Sequence, residues 1–193
     1  MDYVVGYYIT AVIVAAGLLI TAINGVGRMF VQGKFTVLNL LAVFMLFLIH
    51  VQLLYSGWAL KPPPNESGYI ILDLNGSLLM IAIPLLWTIM SAILFPFKEL
   101  ADFDIHYFQV KTGVFFLAAI NALLNGVFDT LYLGDIVFGP KNIWRVVMGA
   151  ASIFLAVENF SPEKKKAWHI FILLVMIGVP FVYFMQNFSS LNP

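Results

Sequence analysis

Six apolar stretches, each about as long as a bilayer is thick, take up most of this 193-residue chain. A helix needs roughly 20 apolar residues to cross the hydrocarbon core. Only helices and closed barrels keep every backbone group hydrogen-bonded there. The stretches fall at about residues 4–25, 36–58, 71–95, 107–128, 142–158 and 168–187. Their apolar runs are continuous rather than alternating, and too long for barrel strands. The expected fold is therefore all-α: a polytopic transmembrane six-helix bundle forming one integral-membrane domain over residues 1–193. The fifth stretch is the shortest and holds Arg145 near one end.

Composition removes several classes of function. Hydrophobic residues make up 62% and charged residues 10% of the chain, against about 25% charge in soluble domains. The loops are too short for a second domain. Cysteine is absent, which rules out disulfides, thiolate metal sites and a cysteine nucleophile. Net charge is zero, with no basic stripe for nucleic acid. No phosphate-binding glycine loop, His-Glu-x-x-His pair or Gly-x-Ser-x-Gly elbow occurs. Neither a catalytic residue nor a cofactor is thus predicted. A two-helix haem clamp needs histidines at matching depth, whereas His106 and His169 fall at one border and His50 across the membrane from them. Asp2, without an early basic cluster or a small-residue cleavage site, predicts that the first span is retained.

The cations set an orientation. Arg28, Lys34, Lys98, Lys111, Lys164, Lys165 and Lys166 gather at the odd connections, against Lys61, Lys141 and Arg145 on the other side. The excess places the odd connections in the cytoplasm and both termini on the non-cytoplasmic side.

Two phrases recur. Met80-Ile81-Ala82-Ile83-Pro84-Leu85-Leu86-Trp87 in the third span is echoed by Met176-Ile177-Gly178-Val179-Pro180-Phe181-Val182-Tyr183 in the sixth. Asn24-Gly25-Val26 in the first span is echoed by Asn125-Gly126-Val127 in the fourth, at a similar offset. These echoes suggest two three-helix repeats, residues 1–95 and 107–193, with the second inverted, an arrangement common in transporters. Pro84 and Pro180 would bend the third and sixth helices. The bends would either line a central path or help a compact bundle pack.

Polar side chains inside a bilayer are costly, so their positions carry information. His50 lies within the second span, Asp73 begins the third, and Asn121, Asn125 and Asp129 share one face of the fourth through their spacing of four. With Arg145 they form a candidate outward-facing pocket containing one group that titrates near neutral pH. The plainer alternatives are solvated helix ends for Asp73 and Asp129, a snorkelling Arg145 and interhelical hydrogen bonding by the asparagines. On the cytoplasmic side, Glu99, Asp102 and His106 share a helical face. With Asp104, Glu158 and His169 they form a candidate polar or metal cluster, the alternative being a solvated entry to the fourth helix.

The stretch Leu94-Phe95-Pro96, then Asp102-Phe103-Asp104-Ile105-His106-Tyr107-Phe108, Phe115-Phe116 and Asp129-Thr130-Leu131, resembles a group of small bacterial membrane proteins of unknown function. The resemblance implies a bacterial inner (plasma) membrane and no named activity. In span number, length and expected termini, the chain also resembles the urea and amide channel family, without alignable pore motifs.

The leading expectation is a transporter or channel for a small solute or proton-linked substrate, with the lipid bilayer as its surroundings. A second is a structural or accessory subunit, alone as a homo-oligomer or with a membrane-complex partner. A third is a membrane-embedded enzyme acting at the cytoplasmic face through Glu99, Asp102, Asp104 and His106.

Overall fold

The computed structural model describes residues 3–27, 30–31, 36–59, 74–96, 102–132 and 143–189. Asp73, Glu99 and the orienting cations Arg28, Lys34, Lys61, Lys98 and Lys141 lie outside the described residues. The described residues form helices and no strand. They are α1 (Tyr3–Ile20), which runs on as a π-helical segment (Thr21–Gly27), α2 (Val37–Ala59), α3 (Leu74–Leu94), α4 (Phe103–Tyr132), α5 (Ile143–Val157) and α6 (Pro162–Ser189).

Among the described residues, three segments are long and apolar enough to cross a membrane: Tyr8–Gly27, Leu74–Leu94 and Phe103–Leu131. The apolar parts of α2 and α5, Val37–Leu53 and Arg145–Val157, are shorter. α4 and α6 both begin earlier than their apolar runs, and local capping explains why. Asp102 Oδ1 accepts the Ile105 N–H at 3.1 Å, an N-cap that starts α4 ahead of Tyr107. Pro162 occupies the first helical position of α6, where a missing N–H costs nothing, and the Lys165 N–H reaches Ser161 O at 2.9 Å. Thr36 caps α2 by accepting the Asn39 N–H at 3.1 Å.

Cross-helix hydrogen bonds fix the helix directions. Thr10 donates to Met80 O, Thr88 to Ile13 O and Asn24 to Phe95 O, so α1 and α3 run parallel. Asn121 donates to Ile83 O while His106 Nε2 meets Ile93 O, so α3 and α4 run antiparallel. Lys111 reaches Leu155 O and Thr112 reaches Ala156 O, while Asp129 pairs with Arg145, so α4 and α5 form an antiparallel hairpin. Each interhelical bond spares a polar group from facing hydrocarbon unpaired.

Pro84 shows how sequence and packing answer one another. Proline removes the N–H that would bond the carbonyl four residues back, which is Met80 O, and Thr10 of α1 supplies that carbonyl a hydrogen at 3.2 Å. The Thr10→Val change is expected to cost about 1 kcal/mol, and much less in a Pro84→Ala background, where the helix serves Met80 O itself. A double-mutant cycle by thermal unfolding in micelles measures this coupling.

Among the described residues, the two helices that share the proline phrase pack differently. α3 packs on α1, α4 and α2, whereas α6, which carries Pro180, packs on α2 and α5. The α1–α3 seam has no α4–α6 counterpart of that extent among the described residues. The Asn-Gly-Val phrases also differ. Asn24 lies in the π-helical segment and bonds across to α3, whereas Asn125 bonds within α4 to Asn121 O at 2.9 Å and Asn121 Oδ1 at 2.6 Å. A methyl at Gly25 would sit 2.8 Å from Val43 Cγ2, while one at Gly126 meets nothing within 4 Å. The two phrases thus serve different packing roles, as small and amide residues in membrane helices can.

The core is continuous around Leu38, Leu46, Met90, Leu94, Phe95, Tyr107, Phe115, Leu155, Leu173 and Met176. Aromatic rings meet where α3 ends and α4 begins. Phe95 stacks on Phe103 at 5.6 Å, and Phe103 meets Tyr107 at 6.1 Å. Aromatic pairs of this kind add about 0.5–1.5 kcal/mol each beyond burial.

Candidate functional site

That aromatic layer surrounds a buried acid–base network. Lys111 of α4 places its ammonium 2.7 Å from Glu158 Oε1, just beyond the end of α5, and also donates to Leu155 O and Glu158 O at 3.1 Å. His169 of α6 sets Nε2 2.8 Å from the same carboxylate oxygen. Its Nδ1 lies 2.9 Å from the Tyr107 hydroxyl. Glu158 Oε2 accepts the Phe160 N–H at 3.0 Å. Tyr107 and His169 are fully buried, and Lys111 and Glu158 are 6% and 8% exposed, so these charges are removed from water together.

The arrangement assigns the protons. A carboxylate accepts only, so His169 Nε2 carries a hydrogen toward Glu158, and Nδ1 of the neutral ring accepts from Tyr107. Tyr107, Phe108 and Phe115 pack edge-on around the imidazole at 5.5, 5.1 and 6.1 Å and fix its plane. Lys165 stands at the wetter edge, 3.8 Å from Glu158 Oε1 and 5.4 Å above the Phe108 ring. A carboxylate, an imidazole and a phenol in one hydrogen-bonded line can hand a proton along, with Lys111 holding the negative charge in place.

Burial pushes the Glu158 carboxyl up, but the Lys111 ammonium, the Phe160 N–H and His169 outweigh it and hold it down at about 2, from an ordinary 4.5. Because the folded value is depressed, this group's contribution to stability is complete above about pH 4.5 and is lost as pH falls through about 2. Wild-type stability is expected to lose this contribution only below about pH 4.5, and Glu158→Gln is expected to lack that part of the acid loss; unfolding measured across this range checks it.

The residues singled out in the sequence divide between several places. Glu158 and His169 do meet. Asp104 pairs instead with Lys166 at 2.5 Å near the surface. Asp102 is committed to its capping bond and His106 Nε2 to Ile93 O at 2.9 Å. No three His, Asp or Glu side chains gather as metal ligands among the described residues. Tyr107 and Lys111 were not among the expected site residues. The available signal was a lysine one turn inside an apolar span, four residues after a tyrosine and hence on its face.

Among the described residues, the members of the expected outer pocket fall in more than one place. Asp129 and Arg145 pair between α4 and α5, and Asn121 joins α4 to Ile83 O of α3. His50 instead packs against Gly17 and near Thr88. Thr88 lies five residues beyond Ile83 toward the Lys111 end, and Asp129 eight residues beyond Asn121 the other way. At 1.5 Å per residue, about 20 Å of depth separates His50 from Asp129. The fourth-helix polar face itself is real: Asn121 and Asp129 are both buried.

An all-helical chain with apolar helices of membrane-crossing length fits a membrane protein. Comparison with protein-family models, with characterised proteins and with solved structures finds no match to this chain.

Proposed function

We propose that the chain is a six-span protein of the bacterial inner membrane, with both termini outside, that moves a small solute in step with protons. The observation that carries this reading is the Tyr107–His169–Glu158–Lys111 network, buried at one end of the bundle. Ionisable groups buried from water inside a membrane protein are expensive and by default mark proton or substrate routes. The membrane placement draws support from the α4–α5 hairpin. Ion pairs clamp it at both ends, Lys111–Glu158 and Asp129–Arg145. Lys111 and Asp129 are about 27 Å apart along α4, close to the hydrocarbon thickness of about 30 Å.

Purified protein in proteoliposomes carrying an internal pH dye tests the reading. Acid entry driven by a gradient of a transported solute is expected, and Glu158→Gln is expected to lower it at least about tenfold. No proton movement with any of a broad panel of small polar solutes would set the reading aside.

One observation favours the accessory-subunit reading. Thr10, Thr88, Asn24 and Asn121 each donate a hydrogen bond to the backbone of a neighbouring helix, which is how polar groups act when they only hold helices together. A partner that remains bound through mild purification, with no flux, would favour it.

A further inference from the structure

His50 poses a problem that the network does not answer. Its ring is fully buried, and Nε2 has no hydrogen-bond partner. Nδ1 approaches Leu46 O at 2.7 Å, which requires an N–H there and leaves Nε2 of the neutral ring as a bare lone pair. That lone pair is pressed against α1 at Gly17. A methyl built on Gly17 would overlap Nε2, lie 2.7 Å from Cδ2 of the ring and 2.8 Å from Thr88 Oγ1. Glycine here makes the close approach feasible. Buried unpaired acceptors are rare, and each calls for an explanation.

The surroundings define what the atom can take. Thr88 gives its hydrogen to Ile13 O at 3.0 Å, so its oxygen keeps lone pairs able to accept. α3 (Leu74–Leu94) contains no titratable residue, and the tyrosines of α1, Tyr3, Tyr7 and Tyr8, lie nine or more residues before Gly17. α6 presents Leu173, Met176 and Ile177 to the core. Of its titratable residues, Glu163, Lys164, Lys165, Lys166 and His169 lie in its first turns and Tyr183 near its end, with His169 already held by Glu158 and Tyr107. On α4, Lys111 and Tyr107 belong to that same network. Among the described side chains, the Thr88 hydroxyl is the polar group that shares the Gly17 contact with the ring, and no fixed charge shares it.

We propose that His50 Nε2 is a second proton-binding site, closed by α1 at Gly17, and that α1 moves away from α2 when the site fills. The lone pair takes a proton from hydronium, releasing water. No other bond breaks. The new N–H donates to Thr88 Oγ1, which keeps its own hydrogen on Ile13 O. An imidazolium with no anion beside it needs water or a wider seam, and the Gly17 contact is where the seam is tightest. This inference extends the proton-linked reading, but its test needs no flux.

The chain has no cysteine, so spin labels can be placed without removing any. Leu19→Cys on α1 and Phe47→Cys on α2 are exposed positions at nearly the same level as Gly17 and His50. In nanodiscs, the α1–α2 label distance is expected to shift to longer values as pH is lowered from about 8 to about 4. The shift should vanish with His50→Gln and persist with His169→Gln. A distance that ignores pH, or that still shifts without His50, overturns the proposal. If His50→Gln does not fold, nitrogen NMR of the otherwise unaltered protein decides: the His50 Nε2 signal should change from lone-pair type to N–H type over that range, and an unchanged lone-pair signal refutes the site. Flux can fail while the labels still move, and the reverse, so the two readings stand or fall separately.

Discussion

Alanine at position 158 is expected to destabilise the fold by about 3–5 kcal/mol, the cost of stranding a buried charge. Lys111 would keep two backbone acceptors, Leu155 O and Glu158 O, but lose its counter-ion and with it the reason its ammonium tolerates burial. His169 would lose the acceptor for its Nε2 hydrogen as well. The diagnostic comparison is the pair Lys111→Met with Glu158→Leu. Replacing both partners with apolar groups of similar size is often neutral, so the double variant should recover most of the stability lost by Glu158→Ala. Unfolding of the single and double variants in micelles measures it. A double variant that loses as much as the two single variants added together would mean that Lys111 and Glu158 are not energetically coupled.

The second large effect falls on Gly17. A methyl there overlaps His50 Nε2, and the ring has little freedom to retreat while Nδ1 is tied to Leu46 O. Overpacking of this kind costs about 1–3 kcal/mol. The same change at Gly113 or Gly126 meets open space and should be stabilising by about 0.4–1 kcal/mol, since alanine restricts the unfolded chain without a clash. The opposite signs make the comparison informative, because helix propensity alone predicts gains at all three. Trimming the ring with His50→Ala should remove most of the penalty at Gly17, leaving the Thr88 Oγ1 contact at 2.8 Å. A Gly17→Ala protein as stable as Gly126→Ala would mean that α1 does not lie where the structure puts it.

Much of this architecture was legible in the sequence, and the rest was hidden for identifiable reasons. Apolar runs announced helices because no other element can fill them, and the spacing of Asn121, Asn125 and Asp129 fixed a shared face. The beginning of α6 was missed and that of α4 left open as a helical entry, because capping by Asp102 and by Pro162 extends a helix past its apolar run. Depth was harder still. His50 and Asp129 seemed neighbours because each looked near an outer border, but the stagger between helices depends on which small residues face which large ones, here Gly17 against His50 and Gly25 against Val43 and Phe95. That information is spread over three helices. Glu158 and His169 were recognised as able to meet; Lys111 was read only as an orienting cation, because its partner lies across a hairpin and one turn down.

The most direct test of the network compares His169→Gln with the parent protein, measuring proton flux and thermal stability on the same preparation. Glutamine can still accept from Tyr107 and donate to Glu158, but it cannot take up a proton. Flux reduced at least about tenfold, with stability close to the parent's, is the predicted result. Flux retained at the parent's level would show that the four residues hold the helices together and carry no protons.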